Sequence, residues 1–166
     1  MKSNQIKVNN MDTQRYFNAV LSEIKSKAKA KAEANGAMSG YKIITELIKF
    51  DRNQKVIIRI FDNENDTYQD VESDFNCDSW RGSYNLPAIS YKPVNHTSTS
   101  YTITEIINNI NNSQGKEVTG YKGGEFTLSM NDIIYVANYG SSNNSTAIVD
   151  IIEENGLVVC ITQTDM

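Results

Sequence analysis

Residues 147–164 read Ala-Ile-Val-Asp-Ile-Ile-Glu-Glu-Asn-Gly-Leu-Val-Val-Cys-Ile-Thr-Gln-Thr. Two runs rich in Val and Ile flank Asn155-Gly156. β-Branched side chains suit a pleated, half-buried surface. Asn-Gly supplies the two left-handed residues that a type I′ turn requires. The stretch therefore predicts a hairpin, with strands over 147–153 and 157–164, and makes a sheet the frame of the fold.

Working upstream, the chain stays β-like back to residue 117. Strands are expected over 117–119, 125–130 and 133–138. Residues 102–112 break the pattern. Thr102-Ile-Thr-Glu105 fits a capping box, and Ile103, Ile106, Ile107 and Ile110 form a helical stripe. Residues 80–92 read as one strand, with Trp80, Gly82, Tyr84, Leu86 and Ala88 on one face. Pro87 pushes that strand toward an edge or an irregularity. Residues 62–79 are acidic and polar, with isolated Tyr68, Val71 and Phe75. They predict a loop or short strands outside the core.

Residues 41–61 predict a hairpin. Tyr41-Lys-Ile-Ile and Lys55-Val-Ile-Ile-Arg-Ile-Phe61 are its strands, and residues 51–54 its turn. A long helix is expected over 12–35, capped by Asp12 or Thr13 and ended by Asn35-Gly36. Phe17, Val20, Leu21, Ile24 and Ala28 recur along it at helical spacing. Residues 1–11 read as a polar arm or edge strand. The expected class is α+β: a mostly antiparallel sheet with a long N-terminal helix and a shorter second helix. Residues 1–36 form the arm and helix, and 37–166 the α+β body, in one compact domain.

Charge is distributed unevenly. Residues 1–60 carry 12 basic and 5 acidic side chains; residues 61–166 carry 4 and 15, for a net −4. A chain of 166 residues with that balance argues against bulk nucleic acid as partner. Lys25, Lys27, Lys29 and Lys31 form a basic helix flank, which reads as a phosphate contact or as a solvated face. Two cysteines, Cys77 and Cys160, cannot build a disulfide framework and suit a reducing compartment. No run of 18 apolar residues is present, and the first residues lack an apolar signal core. A cytoplasmic protein without a membrane span is expected.

Signatures of catalysis are missing from the sequence. His96, the single histidine, stands in a Thr/Ser-rich linker. Cys77, Cys160 and His96 do not have zinc spacing. The nucleophile-elbow, P-loop and dinucleotide-binding patterns do not occur. Glu125 with Asp132 or Asp78 offers carboxylates for hydrolysis, but nothing in the sequence pairs them. The run Asp62-Asn-Glu-Asn-Asp66 lacks the glycine and distant Glu of a calcium loop. No cofactor or metal is expected.

More informative are the four cations of the acidic part: Arg81, Lys92, Lys116 and Lys122. Arg81 lies in Trp80-Arg81-Gly82-Ser83-Tyr84, and Lys122 in Gly120-Tyr121-Lys122-Gly123-Gly124. Each cation has an aromatic and a glycine beside it. Trp80, Tyr84 and Tyr121 can stack on a planar base. Arg81 and Lys122 can meet phosphates, and Gly123-Gly124 can offer backbone N–H groups as an anion nest. Asn138 and Tyr139, in Val136-Ala-Asn-Tyr-Gly140, add neutral donors and acceptors. The set suits a nucleotide-like anion. The other reading makes the aromatics core or interface residues and the glycines turn formers.

Three stretches carry a resemblance. They are Ser79-Trp-Arg-Gly-Ser-Tyr-Asn-Leu-Pro-Ala-Ile89, Thr119-Gly-Tyr-Lys-Gly-Gly-Glu-Phe-Thr127 and Val136-Ala-Asn-Tyr-Gly140. Together they resemble a pattern of small proteins of tailed bacteriophages, over roughly residues 78–152. That group is similar to the viral anti-CBASS sponges, which sequester cyclic dinucleotide immune signals as oligomers. The resemblance implies a non-enzymatic immune-evasion protein of the host cytoplasm, a homo-oligomer that binds a small cyclic nucleotide. The alternative is a phage protein that inhibits a host protein through its acidic surface.

Overall fold

The computed structural model describes residues 10–62, 65–80, 83–93, 100–120, 123–137 and 146–164. For Asn10, Met11, Leu21, Lys25, Asp62, Trp80, residues 83–86, Lys92 and Pro93 it describes the backbone alone. The main sheet contains β1 (Val56–Asp62), β2 (Thr67–Glu72), β3 (Cys77–Trp80), β4 (Ser83–Ser90) and β5 (Lys92–Pro93). It also contains β8 (Tyr135–Ala137), β9 (Ala147–Glu154) and β10 (Leu157–Gln163). Its spatial order is β3-β4-β8-β9-β10-β1-β2-β5. A separate hairpin joins β6 (Glu117–Thr119) to β7 (Glu125–Thr127). Three helices occur among the described residues: α1 (Asn10–Ala34), α2 (Gly40–Leu47) and α3 (Ile103–Ser113). No helix among them is long and apolar enough to cross a membrane.

The expected class is met at the level of α+β. The sheet itself is mixed. β1 pairs parallel with β10, and β4 parallel with β8, between antiparallel neighbours. Long excursions of chain separate both parallel pairs, so no local turn signal announces them. The β9–β10 hairpin forms as read, with Asn155 and Gly156 both at positive φ.

Residues 41–44 are helical, which corrects the predicted hairpin. Ser39 accepts the Lys42 N–H at 3.2 Å and caps α2. Gly40, Ile43 and Leu47 are buried at helical spacing. This amphipathic period outweighs the β propensity of Ile43 and Ile44. Gly40 lets α2 approach its neighbours closely: a Cβ there would lie 3.0 Å from Met130. The predicted turn exists, but it connects a helix to a strand. Asp51 Oδ1 accepts from the Asn53 N–H at 2.8 Å, and the Asp51 carbonyl from the Gln54 N–H at 3.0 Å.

Residues 62–79 contribute to the core, against expectation. Val71, Phe75 and Cys77 are wholly buried and join one apolar cluster with Ile43, Leu47 and Ile106. Only alternate residues of this segment meet the core, so acidic side chains between them mask the pattern. Phe75 sits at φ +57, and its N–H is taken by the Ser73 hydroxyl at 3.0 Å. The predicted strand over 80–92 is two strands. Trp80 pairs with Ser83, and a register shift at Ser79/Trp80 lies opposite Pro87. β4 is an inner strand, so the proline marks an irregularity and not an edge.

α3 carries the full capping box. Thr102 accepts from the Glu105 N–H at 3.3 Å, while Glu105 accepts from the Thr102 N–H at 2.7 Å. α1 ends at Gly36, φ +90, where the Ala37 N–H bonds to Ala32 O and the Gly36 N–H to Glu33 O. This is the Schellman pattern. Asp12 falls in the first turn of α1, not at its cap. Near its end the helix is anchored: Ala32 is fully buried in a small cluster with Ala88, Tyr135 and Ala147. Lys29 reaches Asp132 at 3.1 Å.

Candidate functional site

Cys77 in β3 is held on both sides of its backbone. Its N–H donates to Ser113 Oγ at 3.3 Å, and its carbonyl accepts from Lys116 Nζ at 2.8 Å. Ser113, the last residue of α3, donates in turn to the Asn109 carbonyl at 2.8 Å. Two residues further along β3, Ser79 Oγ donates to the Thr119 carbonyl at 3.4 Å. The contacts run from 77 to 79 on one strand as they run from 116 to 119 on the other. β3 and β6 thus lie side by side in the same direction, with β4 bordering β7. The two hairpins end on the same side of the molecule. Ser79 precedes Trp80-Arg81, and Thr119 precedes the Gly120–124 turn.

The β6–β7 turn is built by glycine. Thr119 pairs with Glu125, the Gly120 N–H donates to the Gly124 carbonyl at 3.0 Å, and the Gly123 N–H to the Gly120 carbonyl at 2.9 Å. Gly123 and Gly124 stand at φ +83 and +93, where a side chain is strained. Both are exposed. These facts modify the nest reading. The Gly123 N–H is already spent inside the turn, and two successive positive φ values do not make the alternating nest conformation.

The predicted site residues divide as follows. The backbone of Trp80 lies at the β3–β4 tip and that of Tyr84 just beyond it, on a different strand. Arg81, Tyr121 and Lys122 lie outside the described residues, as do Asn138, Tyr139 and His96. The third motif enters from elsewhere. Val136 pairs with Ile89 and Ala137 with Ser90. Ser90 and Ser83 are the two ends of β4, separated by roughly 23 Å at strand rise. The fold therefore joins the first two motifs and leads into the third at the far end of β4.

Of the four cations in the acidic part, Lys116 has a structural task at the Cys77 carbonyl. Sequence reasoning counted it without assigning it a role. Its position immediately before a β-like run in an acidic body was the only local signal. Cys77 and Ser113 were likewise missed as site-building residues, because their partners are 36 positions apart.

Carboxylates of the acidic segment are engaged within the fold. Asp70 pairs with Arg59 at 2.8 Å, and Arg59 also reaches Glu154 at 2.5 Å. Glu72 is buried and accepts from the Ser100 hydroxyl at 2.8 Å. Asp74 accepts from the Asn76 N–H at 2.9 Å. Two of the three catalytic candidates are similarly occupied. Asp132 accepts from Lys29, and Asp78 from the Ser79 N–H at 2.8 Å. Among the described residues no three His, Cys, Asp or Glu side chains are grouped to hold a metal. Burial pushes the Cys77 thiol up to about 11 and that of Cys160 to about 12, away from nucleophilic use at neutral pH.

Comparison with family models, curated proteins and solved structures finds no match.

Proposed function

We propose that the protein binds and sequesters a small cyclic nucleotide of the dinucleotide type, without turning it over. In the setting implied by the motif resemblance, it is a phage immune-evasion protein acting as a homo-oligomer in the host cytoplasm. One observation carries the reading: the Ser79–Thr119 and Lys116–Cys77 contacts align the two motif-bearing hairpins at one end. Two aromatic–cation–glycine motifs then serve one ligand. Arg81 and Lys122 would each neutralise a phosphate, and Trp80, Tyr84 and Tyr121 would stack on bases. Asn138 and Tyr139 belong to this ligand set only if a second copy brings its own third motif to the hairpin tips.

The reading through an acidic inhibitory surface has less support, because Asp70, Glu72 and Asp74 are committed to internal partners. Calorimetry with a panel of cyclic dinucleotides tests the proposal. Micromolar or tighter binding by one member is expected, with the ligand recovered intact. Arg81→Ala should then weaken binding by about 1.5–3 kcal/mol, the range for a charged hydrogen bond. No binding across the panel rejects the function. Unchanged affinity in the variant removes Arg81 from the site.

A further inference from the structure

Two asparagines of the chain stand directly before a glycine, Asn35 and Asn155. Such a pair can react within itself. The glycine nitrogen attacks the side-chain amide carbon and closes a five-membered ring. The step is intramolecular, and glycine, lacking Cβ, does not obstruct it. As dipeptides the two pairs are equivalent, but the fold holds them very differently.

Asn35-Gly36 is locked at the end of α1. The Asn35 N–H donates to the Lys31 and Ala32 carbonyls, both at 3.1 Å. The Gly36 N–H, whose nitrogen would attack, donates to the Glu33 carbonyl at 3.0 Å. The Ala37 N–H closes on the Ala32 carbonyl at 3.0 Å, and Ala32 is wholly buried. Attack by Gly36 therefore requires this Schellman turn to open first.

Asn155-Gly156 is the two-residue turn between β9 and β10, with Glu154 paired to Leu157. Both residues are exposed, at φ +53 and +77. The Gly156 N–H finds no acceptor among the described residues. The Asn155 side chain has no partner among them either. A Cβ placed on Gly156 would meet nothing within 4 Å. The peptide between them can rotate toward attack without giving up a hydrogen bond of its own.

We propose that Asn155 is a site of spontaneous conversion through a succinimide, and that Asn35 is protected by its turn. Gly156 N bonds to Asn155 Cγ and loses its proton to solvent. The Cγ–Nδ2 bond breaks, and Nδ2 leaves as ammonia. Water then opens the ring. Opening at Cγ leaves aspartate, and opening at the backbone carbonyl leaves isoaspartate, whose main chain runs through Cβ and Cγ. Nothing is oxidised or reduced. Isoaspartate adds one main-chain atom to a turn of only two residues, which the Glu154–Leu157 pairing does not accommodate. β10 lies between β9 and β1 inside the sheet, so the loosening reaches the core. The reaction does not depend on what the hairpin tips bind.

Incubation of the full-length protein in mildly alkaline buffer, followed by peptide mapping that resolves isoaspartate, tests this. A synthetic peptide of residues 153–158 is the reference. Asn155 should convert at least about tenfold faster than Asn35, the factor that one or two net hydrogen bonds supply. In urea the two rates should converge. Equal rates in the folded protein overturn the proposal. So does a gap that persists in urea, or an Asn155 that stays intact while the peptide converts. The isoaspartate form should melt below the Asn155→Asp variant, which keeps the ordinary backbone. Equal melting of the two overturns the coupling to the hairpin.

Discussion

The Lys116 ammonium donates to the Cys77 carbonyl at 2.8 Å, across 39 positions of sequence. It ties the start of β6 to the start of β3 and so sets the two hairpins side by side. Replacing Lys116 with Met keeps the stem and removes the donor. The charged bond is partly exposed, so solvent screening brings the loss to about 1 kcal/mol, below the range for a well-shielded charged bond. Urea denaturation should show a lower midpoint with unchanged slope. Lys116→Arg should recover part of the loss.

Gly124 occupies φ +93 beside the Phe126 ring, where an added Cβ would sit 3.6 Å from the ring atoms. That distance is an ordinary contact, so alanine suffers from its backbone and not from a clash. Gly124→Ala should lower stability by roughly 1–2 kcal/mol, the cost of left-handed backbone for a residue with Cβ. Thr119→Val serves as control. Its carbonyl, not its side chain, accepts the Ser79 bond, and the side chain is exposed. Chemical denaturation of both variants should separate them.

Two carboxylates make stability sensitive to acid. Glu105 is held below the ordinary carboxylate value of 4.5 by bonds from the Thr102 N–H and hydroxyl. Glu46 is lowered by its bonds to Lys42 and Lys49. A depressed folded pKa gives stability that is complete above the unfolded value, near 4.5, and lost as pH falls through the folded one. Melting temperature followed from pH 7 downward should therefore fall below about 4.5. Glu105→Gln and Glu46→Gln should each flatten that fall.

Both thiols are buried, and burial raises their pKa to about 11 for Cys77 and about 12 for Cys160. At pH 8 the folded protein should react very slowly with a disulfide reagent. Unfolding in urea should release both thiols at the rate of a free cysteine. Fast reaction of either thiol in buffer would show that β3 or β10 opens locally.

Some elements were legible because their causes are local. The α3 capping box, the Asn155-Gly156 turn and the Gly36 stop each involve residues within about five positions. The α2 segment was misread because Ile43 and Ile44 favour strands, while its helical period is only eight residues long. Val71 and Phe75 were missed as core because Glu72 and Asp74 stand between them, each held by a hydrogen-bond partner that the sequence does not announce. At the candidate site, residue types and motifs were visible. Their alignment was not, since it rests on Ser79–Thr119 and Cys77–Lys116 contacts 40 and 39 residues apart.

The sequence by itself determined the α+β class, the C-terminal hairpin, the capped third helix and the two glycine–aromatic motifs. Capping, turn chemistry and periodicity act between near neighbours, so they can be read from order alone. Only the tertiary structure decided that β1 lies parallel to β10 and β4 to β8. It also decided that Lys116 serves the Cys77 carbonyl and that the Phe17–Ile24 stripe stays exposed. Those outcomes depend on which distant surfaces meet, and burial free energy is blind to separation along the chain.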